Sequence, residues 1–275
     1  YGITFCIAAG NLGPGLGTVT VPATANGVIA VGGYLSPDMW FLNYGWHIKQ
    51  TPLWAFSSSG PTGSGMSPLL TAPAAGTTIT ACWDGDYSFE EGTSIAAPYA
   101  AGGAALLIEA ARKNGIIITP ETLRAALAAG CKAMPGFTAC EVGYGRLNLP
   151  SAWEKLKENP GRQVESYQGG KRTYYVREFT PAVSYLRVVN PGGSEQKLNL
   201  SASAGWVKLP VRSITVPAYG TRVLRVEYDK ESKPGLYSAI ISGDNPAAPG
   251  VELQSLQAVV VPAQLKPDSS KFSAS

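Results

Sequence analysis

The residues Gly92-Thr93-Ser94-Ile95-Ala96-Ala97-Pro98 set a serine at the mouth of a helix that runs on through Tyr99-Ala100-Ala101-Gly102-Gly103-Ala104-Ala105-Leu106-Leu107-Ile108. A hydroxyl in the first turn of a helix stands beside backbone N–H groups with no partner inside the helix and near the positive end of its dipole, where negative charge is stabilised. That is suitable ground for a nucleophile. The plainer reading is that Thr93 and Ser94 only cap a buried helix, as Thr and Ser commonly do. A second candidate is Asn11. The apolar run Ile3 to Ile7 reads as a strand, and Ala8-Ala9-Gly10-Asn11 delivers an amide side chain at its end, where it can be aimed into a cleft.

A strand end and a helix start must meet for these residues to act together, and the Ala and Gly of the helix let it lie close against a sheet. Further segments follow in a fixed order: Val28-Ile29-Ala30-Val31-Gly32-Gly33, Phe56-Ser57-Ser58-Ser59-Gly60-Pro61, Thr71-Ala72-Pro73, the serine segment, and Gly143-Tyr144-Gly145-Arg146-Leu147-Asn148. Taken together, roughly residues 1 to 155 resemble the subtilisin-like serine proteases, and several motifs in order are far more specific than one short pattern. The resemblance implies an α/β fold, with the C-terminal part of a parallel-sheet catalytic domain in this chain. It implies Ser94 as nucleophile and Asn11 as the oxyanion-hole side chain, partnered by the backbone N–H of Ser94. It also implies substrate contacts from Ala8, Ala9 and Gly10, one wall of the pocket before the scissile bond, and from Thr93. Attack on a peptide carbonyl creates an oxyanion, and preorganised donors stabilise it more than they stabilise the bound substrate. The loss of one donor costs about 3 to 4 kcal/mol in subtilisin, a magnitude carried over with the resemblance.

A serine also needs a base, and the base an orienting carboxylate. In the resembled family the Asp and His motifs precede the Ala-Ala-Gly-Asn segment, and this chain begins at Tyr1, just before it. The single histidine, His47 in Tyr44-Gly45-Trp46-His47-Ile48, lacks the family's context and reads as a loop or core-edge residue. The expectation is therefore half an active site: Tyr1 is a cut end, and an upstream chain or segment carrying Asp and His completes it. The rival is a truncated fragment without activity. From another functional class comes a non-catalytic scaffold or binding protein derived from a protease half.

At 275 residues the chain is long enough for two domains. The formal charge is +3, divided as −2 up to residue 155 and +5 beyond it. That mild excess, without a Lys/Arg run interleaved with aromatics, argues against nucleic acid. The apolar run Tyr99 to Ile108 falls far short of the roughly 20 residues a membrane span needs. No Cys/His grouping has zinc-ligand spacing. No cofactor is expected; a structural calcium ion has no readable motif. The expected partner is a peptide or protein substrate, and an oligomer remains open. Of Cys6, Cys82, Cys131 and Cys140, the pair Cys131 and Cys140 has a spacing that permits a disulfide, which points outside the cell. Cys6 reads equally well as a buried thiol.

Residues 34–54 exceed the corresponding link of small subtilisins, and Tyr34-Leu35-Ser36-Pro37-Asp38-Met39 resembles the tripeptidyl-peptidase II branch, which favours the cytosol instead. Whether the action is internal cleavage or tripeptide release stays open. The acidic residues Asp84, Asp86, Glu90 and Glu91 read as a solvated loop face, with cation or basic-substrate binding as the alternative. Thr119-Pro120 starts a helix and Ser151 another, which Asn159-Pro160-Gly161 breaks. Beyond residue 162, seven β-rich runs between turn signals predict an immunoglobulin or fibronectin-type sandwich: Arg172 to Phe179, Ser184 to Val189, Lys197 to Leu200, Arg212 to Val216, Thr221 to Tyr228, Leu236 to Ser242 and Val251 to Val261. The expected division is 1–160 for the peptidase part, 161–265 for the sandwich and 266–275 for a frayed tail.

Overall fold

The computed structural model describes residues 2–63, 65–78, 88–158, 164–177, 182–229, 233–247 and 251–263. Cys82, Asp84, Asp86, the Asn159-Pro160-Gly161 break and the tail lie outside them.

Three short parallel strands carry the first half: β1 (Cys6–Ala8), β2 (Ile29–Tyr34) and, beyond the helix α1 (Pro37–Tyr44), β3 (Leu70–Pro73). Their order is β1-β2-β3, with Cys6 opposite Ile29 and Val31 opposite Leu70. Ile29 to Gly33 are buried, as a central parallel strand covered on both faces must be. The hairpin β4 (Ala75–Thr78) and β5 (Ser88–Glu91) then leads into α2 (Thr93–Lys113). Ala96, Ala97, Ala100, Ala104, Leu107 and Ala111 of α2 pack on Ile29, Val31, Leu70 and Ala72 of the sheet. The small side chains permit that close approach; a Cβ at Gly103 would fall 2.6 Å from a methyl of Leu149.

α2 runs five residues past Ile108 and six before Tyr99, to 21 in all, and by length and composition alone it is apolar enough to cross a membrane. This corrects the expectation drawn from the shorter run. Its inner face is spent on the sheet. The helix stops at Asn114, followed by Gly115 with φ +68°.

α3 (Pro120–Gly130) opens on a capping box in which Thr119 and Thr122 each accept the other's backbone N–H. α4 (Ala139–Val142) is a single turn. α5 (Leu149–Lys157) begins two residues before the expected Ser151, because Asn148 Oδ1 accepts from Ser151 N and Pro150 suits the first turn. Cys131 and Cys140 are free thiols, not a disulfide. Cys131 Sγ donates to Leu127 O at 3.2 Å, while Cys140 is buried with Leu256 and Ala258. The spacing argument for an oxidising compartment therefore has no bridge behind it.

Nine strands follow among the described residues: β6 (Glu165–Tyr167), β7 (Tyr174–Arg177), β8 (Val183–Val189), β9 (Gln196–Ala202), β10 (Val207–Lys208), β11 (Ser213–Val216), β12 (Thr221–Tyr228), β13 (Gly235–Asp244) and β14 (Leu253–Val261). They form a four-stranded sheet, β10-β12-β8-β6, and a five-stranded one, β11-β9-β13-β14-β7, antiparallel except for β14 with β7. Along β12, buried Leu224, Val226 and Tyr228 alternate with more exposed Val223, Arg225 and Glu227, the pattern of a strand with one wet face. Leu186, Val188 and Leu224 from one sheet and Leu198, Ile241 and Leu253 from the other share one core. The two halves meet where α4 lies on the larger sheet, with Ala139 N donating to Ser238 Oγ at 3.0 Å.

Candidate active site

β1 ends at Ala8, and the chain turns at Gly10 with φ +113°. A Cβ there would come within 2.8 Å of Thr20 Oγ1 and 2.9 Å of Ser58 Oγ, so both conformation and space require glycine. The turn is held from the Phe56–Pro61 segment: Ser58 N donates to Gly10 O at 2.9 Å, and Leu12 N donates to Ser58 Oγ at 3.0 Å. Ser57 likewise accepts from Gly33 N at 3.0 Å, so these buried serines act as internal braces. The Gly143–Asn148 segment hydrogen-bonds to Thr71 from both sides, through Gly145 O and Leu147 N. The Phe56–Pro61 segment thus braces the turn that presents Asn11, and the Gly143–Asn148 segment braces β3.

On the other side, Gly92 caps α2 with φ +152°, and its N–H donates to Ala74 O at 2.8 Å. Thr93 is fully buried. Its N–H donates to Asn11 Oδ1 at 3.1 Å and its hydroxyl donates to the same oxygen at 2.7 Å, while Gly10 N donates to Thr93 Oγ1 at 3.2 Å. A backbone N–H can only donate, so this network fixes the amide oxygen of Asn11 towards Thr93 and turns Nδ2 away. Ile95 N and Ala96 N bond Gly92 O, closing the first turn around Ser94. Neither Asn11 Nδ2 nor Ser94 N has an acceptor among the described residues. A Cβ built on Gly92 would sit 3.3 Å from Asn11 Nδ2 and 3.6 Å from Ser94 N, so the two open donors flank one point. Ser94 and Asn11 are both exposed.

The other candidates are placed differently. Ala9 is fully buried with Val19, Ala23 and Ala30, and its backbone N–H and C=O are taken by Val31 O and Thr20 N. Ala8 is paired with Val31 in the sheet. Gly10 and Thr93 hold Asn11. His47 is exposed and stacks on Phe41, with ring centroids 4.2 Å apart. Glu91 corrects the reading of a solvated loop face: its carboxylate accepts from Tyr44 Oη and from Trp54 Nε1, which tethers α1 to the residue just before Gly92. Burial, with the Glu91 carboxylate next, pushes the Tyr44 hydroxyl up to about 12. Glu90 is exposed and accepts from Ser88 Oγ. Among the described residues no three His, Cys, Asp or Glu side chains gather where they could share a metal ion. Local pattern could not reveal Ser58, Thr93 and Glu91 as braces, because their partners lie 46, 82 and 47 residues away.

The sequence profile of the subtilase family matches residues 1–145, more than half of the chain, and the chain belongs to that family. Pyrolysin of Pyrococcus furiosus is 30% identical over 312 residues, covering 98% of this chain and 22% of the relative. Tripeptidyl-peptidase 2 of Caenorhabditis elegans is 30% identical over 274 residues, covering 88% of this chain and 20% of the relative. The chain therefore spans about a fifth of the length of these curated relatives. A crystal structure of tripeptidyl peptidase 2 superposes with a TM-score of 0.75 at 24% identity, over 98% of this chain and 22% of that one, a likeness of fold that extends through both halves.

Proposed function

We propose that this chain is the nucleophile-bearing part of a serine peptidase, with Ser94 attacking the peptide carbonyl and Asn11 Nδ2 and Ser94 N donating to the resulting oxyanion. One observation carries the reading. The two donors have no acceptor among the described residues, lie 3.3 and 3.6 Å from one point at Gly92, and Asn11 is held there by hydrogen bonds that use only the opposite end of its amide. Preorganised donors of this kind cost no reorganisation when the charge develops. A serine hydroxyl without a base is a weak nucleophile. On this reading Asp and His come from an upstream segment of the protein, which docks where β1 is an open edge with exposed Ile3 and Phe5 and where α2 exposes Leu106. The substrate is a peptide or protein.

In the same reading the division falls at 160, and the second half is a sandwich of the immunoglobulin or fibronectin type that braces the peptidase part. Its two facing sheets and shared core support this.

The test is a serine-directed phosphonate probe on the full-length protein, with the labelled peptide identified by mass spectrometry. Labelling of Ser94 in folded and not in denatured protein is expected. An unlabelled Ser94 in folded protein that contains the upstream Asp and His overturns the proposal.

A further inference from the structure

Between α3 and the second half lies a cavity of about 90 Å³, lined from the first half by Asn26, Arg124 and Tyr144 and from the second by Glu165, Arg172 and Gln254. Among the described residues its charges do not cancel. Arg172 Nη2 donates to Glu165 Oε1 at 2.8 Å and also to Tyr167 Oη at 3.1 Å, so the one carboxylate on the wall is already matched to one guanidinium. The hydrogen bond from Tyr167, followed by Arg172, holds the Glu165 carboxyl below its ordinary range, so it is ionised at neutral pH. Among the described residues Arg124 is the cation left over. Its Nε donates to Val28 O at 3.2 Å, and among the described residues its two Nη groups have no acceptor and no carboxylate within ion-pair distance. Burial works against the protonated guanidinium, the neighbouring Tyr144 partly offsets it, and the Arg172 charge opposes it further.

Arg124 is half-buried, so its open Nη donors face the cavity rather than bulk water alone and are free to take an acceptor there. The remaining wall groups supply more donors: the amides of Asn26 and Gln254 and the hydroxyl of Tyr144. The planar fork of arginine matches the oxygens of a phosphate or sulfate in pairs. We propose that this cavity binds a small inorganic oxyanion of the phosphate or sulfate kind, held by Arg124 with Arg172 beside it, and that the bound anion pins the two halves together. The site is independent of Ser94 and needs no part of the peptidase reading.

The experiment is calorimetric titration of phosphate, and separately of sulfate, into the full-length protein at fixed ionic strength set with chloride. Saturable binding at one site per chain is expected, unchanged in the exposed-surface control Arg212→Met and weaker by roughly ten- to hundredfold in Arg124→Met, the loss of a charge-assisted partner. Circular dichroism checks that the variants are folded. Should Arg124→Met not fold, Arg124→Lys keeps the charge without the fork and is expected to bind phosphate more weakly than the parent. No saturable phosphate or sulfate binding by the parent, or equal affinity in parent and folded Arg124 variants, overturns the proposal.

Discussion

The two halves of the chain finish their sheets differently. In the second half a four-stranded and a five-stranded sheet face one another and bury Leu186, Leu198, Leu224, Ile241 and Leu253 between them. In the first, three parallel strands end in β1, whose open edge lies beside exposed Ile3 and Phe5, and α2 turns Leu106, 60% exposed, away from the sheet. Ser94 and Asn11, both exposed, belong to this half. A half that closes on its own core has its apolar groups spent on stability. A half with an open strand edge and an open helix face keeps Ser94 and Asn11 accessible, which suits the proposed completion of the site by an upstream segment.

This contrast predicts that substitutions in the first half reach activity and those in the second reach stability. The largest effect expected is from Ser94→Ala. In the full-length protein it should lower kcat for peptide hydrolysis by roughly 10⁵- to 10⁶-fold, with the unfolding midpoint unchanged, since the side chain is exposed. Leu224→Ala, in the core of the second half, should cost about 2–5 kcal/mol of stability, read from denaturant unfolding, with kcat unchanged where the protein remains folded. A fall in kcat there would show that the halves are not separable in this way. Gly92→Ala combines strain of about 1–3 kcal/mol at a positive φ with a methyl 3.3 Å from Asn11 Nδ2. Steady-state kinetics should show a lower kcat and calorimetry only a small loss of Tm.

The smallest effect concerns the thiols. Burial pushes Cys6 up to about 11 and Cys131 and Cys140 up to about 12, from an ordinary 9.0. Thiols held neutral in the fold contribute stability that is fully present below pH 9 and is lost as pH rises from 9 through 11–12, where the unfolded chain ionises first. Alkaline titration of stability should show that decline, and iodoacetamide at neutral pH should leave all three unmodified in the folded protein.

The sequence made Ser94 and Asn11 legible because each stands in a compact local pattern, a glycine before a helix start and a glycine after a strand. It also carried α2, the Thr119 cap and most strands of the second half, through small-residue runs, cap chemistry and alternation. It could not carry α1, in which no residue is buried and no apolar face repeats. β6 and β10, at three and two residues, are too short for alternation to register. The braces of the site were hidden for a different reason. Thr93 reads as a cap or a substrate contact in its own neighbourhood, and only the fold brings it to Asn11. Cys131 and Cys140 show the reverse failure: a short spacing permits a bridge, but in the fold Cys131 bonds back to its own helix and Cys140 packs towards the second half.

The most direct test of the central claim is the kinetics of Asn11→Leu in the full-length protein, which removes Nδ2 while keeping a side chain of similar size. Loss of an oxyanion donor should lower kcat about 10²- to 10³-fold and leave KM close to the parent value. An unchanged kcat, or a loss expressed mainly in KM, would contradict the account.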